Sequence, residues 1–195
     1  MAVDGGAAPV DKLTVQIGPC EDSLFLDGVD FLVTALANGR ALPDVLDVDE
    51  FFRALKGAGR VSAAGVGVRR RSKSLPPPAR RLPIFNCSCG CFGCGGYYVD
   101  VTLTPEALIW ENAYTNEGAR AEPRDRWRYA FPWHNVREVA GELIAAIYTA
   151  RAQHPNCEIR YGATGVEVTE RLSYYLECYE ALPDGTGRSG AEANA

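Results

Sequence analysis

From Leu13 the chain alternates, with Leu13, Val15 and Ile17 set against Thr14 and Gln16, and that two-residue period predicts a half-buried strand. A second apolar stretch, Leu24-Phe25-Leu26, precedes Asp27-Gly28 and the run Val29 to Val33. Asp-Gly between apolar runs predicts a hairpin turn. Asp47 followed three residues later by Glu50 makes a capping box, and Phe51, Phe52 and Leu55 then give a short helix one apolar face before Gly57 ends it. Tyr97, Val99, Val101 and Leu103 alternate with Tyr98, Asp100 and Thr102, and Thr104-Pro105-Glu106 turns the chain into Ala107 to Glu111, a second predicted hairpin. Trp127, Tyr129 and Phe131 against Arg126, Arg128 and Ala130 predict a further strand with its arginines toward water.

The clearest helical period starts at Asn135, which has the chemistry of an N-cap, with Glu138 three residues on. Val136, Val139, Ala140, Leu143, Ile144 and Ile147 recur at the spacing that covers one sheet face, and Pro155 marks the end. Cys157, Ile159 and Tyr161 predict a strand; a final helix follows Thr169, with Leu172, Tyr175, Leu176 and Tyr179 on one face and Pro183 as the stop. Hairpins with helices between and after them predict an α+β fold, a mostly antiparallel sheet built from hairpins with two or three packed helices. The 195 residues, 47% of them hydrophobic, suffice for one core and do not demand two. One domain is therefore expected over 12–183, between tails at 1–11 and 184–195 whose Gly, Ala and small polar residues predict disorder.

Charge changes this picture in one place. The net charge is −5, yet Arg69, Arg70, Arg71, Lys73, Arg80 and Arg81 lie together with no acid among them, leaving 14 Lys and Arg against 25 Asp and Glu elsewhere. With Pro76, Pro77 and Pro78 in the same stretch, 69–83 reads as a basic, Pro-rich, solvated connector. A basic strip attracts phosphates, but this one lacks interleaved aromatics for stacking on bases, so nucleic-acid association through 69–81 is the weakest of the functional readings. No apolar run approaches the roughly 20 residues of a membrane span, and the opening Met-Ala-Val-Asp-Gly-Gly lacks the layout of a signal peptide. A cytoplasmic location without membrane contact is expected, where an odd count of seven cysteines points to free thiols or metal ligands rather than disulfides.

Four of the seven fall within eight residues: Cys87, Cys89, Cys91 and Cys94. Thiolates this close can share zinc, which they coordinate tetrahedrally. Cys91-Phe-Gly-Cys94 has C-x-x-C spacing before Gly95-Gly96, and His154-Pro-Asn-Cys157 offers a matching H-x-x-C pair. Cys87, Cys89 and Cys94 with a fourth ligand, Cys91, Asp100 or water, are the alternative set. The run is tighter than iron–sulfur spacings. Thiol redox catalysis by Cys91 and Cys94 is the competing class, but a Gly-Gly and a strand follow where a thioredoxin-like site has a helix N-terminus to activate the thiol. A Cys/Gly turn can also be packing alone, the ordinary core role expected of Cys20 and Cys178. His134 sits at a helix entry with no Ser-His-Asp order or G-x-S-x-G elbow to use it as a base. No dinucleotide or phosphate-loop glycine motif is present. Asp27, Asp30, Asp44, Asp47, Asp49 and Glu50 miss calcium-loop spacing and read as turn and cap residues.

Cys87-Ser-Cys89-Gly90-Cys91-Phe92-Gly93-Cys94 resembles the C-x-C-G-x-x-G-C signature of a family of small uncharacterised bacterial proteins. In that family the turn leads into a strand, a tryptophan and an aromatic strand before a helix, the order of Tyr97 to Leu103, Trp110, Trp127 to Phe131 and the helix near Asn135. The likeness spans Leu82 to Ile147; Cys91 is an extra thiol, and Gly95-Gly96 replaces a bulkier apolar pair. It implies a grouping and no activity. One dense thiol site without acid–base machinery leads to a non-catalytic, protein-partner-binding module whose cysteine turn binds zinc or is otherwise a structural device, with candidate metal ligands Cys87, Cys89, Cys91, Cys94, His154 and Cys157.

Overall fold

The alternation that begins at Leu13 becomes strand β1 (Leu13–Pro19), with Leu13 and Val15 buried and Ile17 half-buried against the core. The computed structural model describes residues 11–20, 28–59, 79–87, 96–112, 126–161 and 166–184. Strand β2 (Gly28–Ala37) pairs antiparallel with β1 from Leu13↔Ala37 to Pro19↔Phe31. Asn38 and Gly39 then take φ of 53° and 77° and turn the chain into the two-residue β3 (Arg40–Ala41), a tight hairpin that Asn-Gly favours because both positions need left-handed backbone. Gly28 is therefore a strand residue rather than part of a hairpin turn; Asp27 and the apolar Leu24 to Leu26 lie outside the described residues. A Cβ at Gly28 would meet the Arg160 guanidinium and the Glu158 carbonyl.

The second sheet is antiparallel throughout, in the order β4 (Val45–Leu46), β5 (Arg80–Asn86), β6 (Tyr97–Leu103), β7 (Ala107–Asn112) and β8 (Trp127–Pro132). Its inner face carries Val99, Val101, Leu103, Leu108, Trp110 and Phe131, all buried. Trp110 meets Phe51, Phe85 and Phe131 edge-on at 6.1, 5.7 and 5.4 Å between ring centroids, the arrangement aromatic quadrupoles prefer. The expected connector over 69–83 is corrected at its end: 80–83 open β5, while 69–78 lie outside the described residues. Pro83 is tolerated because the β5–β6 register shifts between Leu82 and Phe85, and a bulge is where a strand can spare an amide donor.

Helix α1 (Val48–Leu55) starts with the forward half of the capping box, the Glu50 backbone N–H donating to the Asp47 side chain, while the Asp47 N–H goes to the Ile84 carbonyl in place of the Glu50 side chain; Gly57 follows the helix at φ 97°. Helix α2 (Trp133–Gln153) begins two residues before the expected cap, so Asn135 is a buried helical residue. Its amide oxygen accepts from the Leu13 N–H at 2.7 Å and its amide nitrogen donates to the Leu13 carbonyl at 2.9 Å. A side-chain amide thus gives the edge of β1 the two bonds that a neighbouring strand would have given. Helix α2 crosses over to β9 (Glu158–Tyr161), which runs parallel to β2, and α3 (Leu172–Glu180) packs on α1 through Phe52 and Tyr175, stacked at 4.5 Å. Among the described residues the fold is a mixed α+β architecture of two sheets with helices α1, α2 and α3 around one core. Asp11, expected in a disordered tail, is tied to β8: its N–H donates to the Ala130 carbonyl at 3.2 Å, and the Ala130 N–H donates to its carboxylate at 2.8 Å. Asp184 lies 3.8 Å from Arg137; the rest of both expected tails is outside the described residues. Among the described residues no helix is long and apolar enough to cross a membrane.

Candidate functional site

Strands β5 and β6 are antiparallel neighbours, paired at Phe85↔Tyr97, so the cysteine run occupies the connection of one hairpin. Cys87 follows the end of β5 and is half-buried; Cys89, Cys91 and Cys94 lie outside the described residues. Both ends of the connection are fastened to one short stretch of chain. On the β5 side, the buried Asn86 donates its side-chain N–H to Asp47 Oδ2 at 2.9 Å. On the β6 side, the Gly96 N–H donates to Asp44 Oδ2 at 2.9 Å. Val45 and Leu46, between those two aspartates, pair with Asn86 and Phe85 as β4. Asp44 takes φ 60°, a conformation aspartate tolerates better than most L-residues, and Gly96 takes φ 100°, which glycine alone adopts without strain.

Asp47 ties the head of α1 to β5 through three hydrogen bonds. Its Oδ1 accepts from the Glu50 N–H at 3.1 Å at the head of α1, its Oδ2 accepts from Asn86, and its own N–H donates to the Ile84 carbonyl at 2.8 Å. It is 4% exposed. Desolvation pushes its pKa up to about 7, assisted by the charges of Glu50 and Asp49 and only partly offset by the N–H groups of Glu50 and Asp49. Asp49, two residues on, accepts from Arg171 Nε at 2.9 Å and from the Tyr175 hydroxyl at 3.1 Å, joining α1 to α3. The expected turn-and-cap role of these acids thus holds for Asp44 and Asp47.

The second candidate pair sits elsewhere. His154 and Cys157 lie in the turn between α2 and β9, where the His154 N–H closes the helix on the Ala150 carbonyl at 2.9 Å and the Cys157 N–H donates to the His154 carbonyl at 3.2 Å. That turn adjoins the sheet of β1 and β2, whereas Cys87 ends a strand of the other sheet. Among the described residues no three His, Cys, Asp or Glu side chains are grouped to hold a metal ion. Cys178 has the ordinary core role expected of it: it is 5% exposed, and burial pushes its thiol pKa up despite a hydrogen bond with Tyr174. Cys20 is half-buried just past β1, and His134 is exposed at the second position of α2. Asn86 is the anchor without a sequence signal, because an asparagine beside a cysteine-rich run reads as loop chemistry while its role depends on a residue 39 positions away. Comparison with family models, with curated proteins and with solved structures finds no match, so the resemblance of the cysteine turn rests on its own residues.

Proposed function

We propose that the chain is a non-catalytic, protein-partner-binding module that presents its cysteine turn as a rigid feature, with zinc held by thiolates of Cys87, Cys89, Cys91 and Cys94. The observation that supports this reading is the two-ended clamp, Asn86 on Asp47 and Gly96 on Asp44. A hairpin connection needs no such fastening merely to join two strands. Here one end is fixed to the buried Asp47 and the other to the exposed Asp44, and a connection whose two ends are set suits metal coordination and a surface offered to a partner. Ligation of zinc by thiolates would remove freedom from the connection and add folding free energy. The acids nearest the turn already have structural work as caps and clamps, which favours a structural over a hydrolytic use of the site.

Metal analysis and thiol titration of the full chain, purified without chelator, test this directly. About one zinc per chain, with thiols of the turn protected until chelator is added, is the expected result. Metal-free protein in which all seven thiols titrate at once overturns the zinc assignment. A single fast-reacting, acid-shifted thiol in that sample would transfer the site to redox chemistry at Cys91 and Cys94.

A further inference from the structure

A cleft of about 570 Å³ lies between the C-terminal end of α2, strand β9 and the segment 166–172, and none of its lining residues belongs to β5 or β6. Its walls hold three carboxylates, Glu158, Glu167 and Glu170, against one guanidinium, Arg151. That guanidinium is engaged, donating to Thr169 Oγ1 at 3.2 Å. Glu158 is paired with Arg160, which also lies 3.4 Å from Asp30. The Glu170 carboxylate is exposed and has no ion pair among the described residues. The cleft also receives the end of a 21-residue helix, whose aligned peptide dipoles place partial negative charge at that pole.

The same cleft is lined by Tyr148, the one large apolar side chain among the described residues that is left exposed, at 51%. An exposed aromatic side chain in a cleft whose lining carries three carboxylates to one guanidinium is the combination that recognises an organic cation, through attraction to the ring face and ion pairing at the rim. An anion would meet surplus negative charge, and an apolar group would strip water from carboxylates without replacing it. We propose that this cleft receives an arginine or lysine side chain of a partner protein, its charge facing Glu158 and Glu170 and its apolar stem or guanidinium plane lying on Tyr148. The assignment rests on the partner-binding reading and gives that partner a chemistry: a basic side chain on an exposed segment able to enter the cleft. It places recognition on the sheet of β1 and β2, while the cysteine turn belongs to the other sheet.

Amide NMR of the full chain tests it with acetyl-arginine amide and acetyl-lysine amide as probes, acetyl-glutamine amide as the uncharged control and magnesium chloride as the inorganic cation. Saturable shifts concentrated at Tyr148, Cys157, Glu158 and Glu170 with the two basic probes, and absent with the glutamine probe, are expected. Glu170→Gln should weaken the arginine probe about threefold, the size of one exposed charge contact, and Tyr148→Ala should weaken it to a similar degree while leaving the fold intact. No shifts, shifts scattered over the acidic surface, equal response to magnesium, or movement of these residues with protein concentration alone would each overturn the assignment, the last by putting a second copy in the cleft. Metal content and thiol count are measured on the same variants. They report on the cysteine turn and not on this cleft, so either reading can fail while the other stands.

Discussion

Two carboxylates organise the two halves of the molecule, and they respond to burial in opposite ways. Asp47, beneath the cysteine turn, is nearly sealed from water and has its pKa raised to about 7, because desolvation outweighs the donors it receives. Glu167, at the floor of the α2–β9 cleft, is also pushed up by burial. Yet the Thr169 hydroxyl and the N–H groups of Ile159, Thr169 and Glu170 together hold it below the ordinary glutamate range. Four donors in partial contact with water stabilise a negative charge that fewer donors in a sealed pocket do not. Asp47 is therefore a group whose ionisation strains the scaffold at neutral pH. Glu167 stays ionised there, with both of its carboxylate oxygens committed to the turn after β9.

The comparison breaks most visibly at Asp47. Asp47→Ala removes the cap of α1 and leaves the Asn86 amide buried without its acceptor, and the two losses together amount to about 2–4 kcal/mol. Urea denaturation near pH 4, below the range in which relief of the buried charge offsets it, reads that loss, with a faster-reacting Cys87 thiol expected at neutral pH as the end of β5 loosens. Asp47→Asn keeps a capping oxygen and separates charge from shape. A carboxyl whose folded pKa is raised contributes stability that is fully present below about pH 4 and is lost as pH rises through about 7. Denaturation midpoints of the natural protein should therefore fall across that window, by an amount on the order of 3 kcal/mol, while those of Asp47→Asn stay flatter. Parallel curves for the two proteins would mean that Asp47 ionises as easily as an exposed aspartate.

Both hubs were only half legible in the sequence, for different reasons. The Asp47–Glu50 capping box is a contact over three residues and shows as a pattern; the partner Asn86 is 39 positions on, and nothing local marks it. The long amphipathic stripe from Val136 to Ile147 fixed α2 on the sheet, but Asn135 chose the Leu13 backbone over a capping position, because a buried strand edge needed both a donor and an acceptor. Arg80 to Pro83 carried connector composition and became a strand, since pairing to β6 and the bulge at Pro83 outweighed local preference. The two-residue strands β3 and β4 are too short for alternation to appear, although Asn38-Gly39 is a turn signal for the first of them. The cleft was legible only as its separate residues, because α2 and the segment 166–172 meet there through tertiary packing.

The smallest effect expected is the one that most sharpens the contrast. Glu167→Gln keeps an acceptor oxygen for Ile159 and Thr169 but turns an amide N–H toward the Glu170 N–H in place of Oε2, a loss of about 1 kcal/mol near pH 7. A glutamate whose folded pKa is lowered contributes stability that is present above the ordinary glutamate range and disappears as pH falls through the folded value. The deficit of Glu167→Gln should accordingly shrink on acidification, whereas the advantage of Asp47→Asn should grow as pH rises. Measured side by side by denaturation from pH 3 to pH 8, the two variants distinguish donor-stabilised charge from buried charge. If instead Asp47→Asn showed a deficit that also shrank toward acid, the Asp47 hub would be an ion-stabilising site like Glu167, and its clamp on Asn86 would be strongest at high pH.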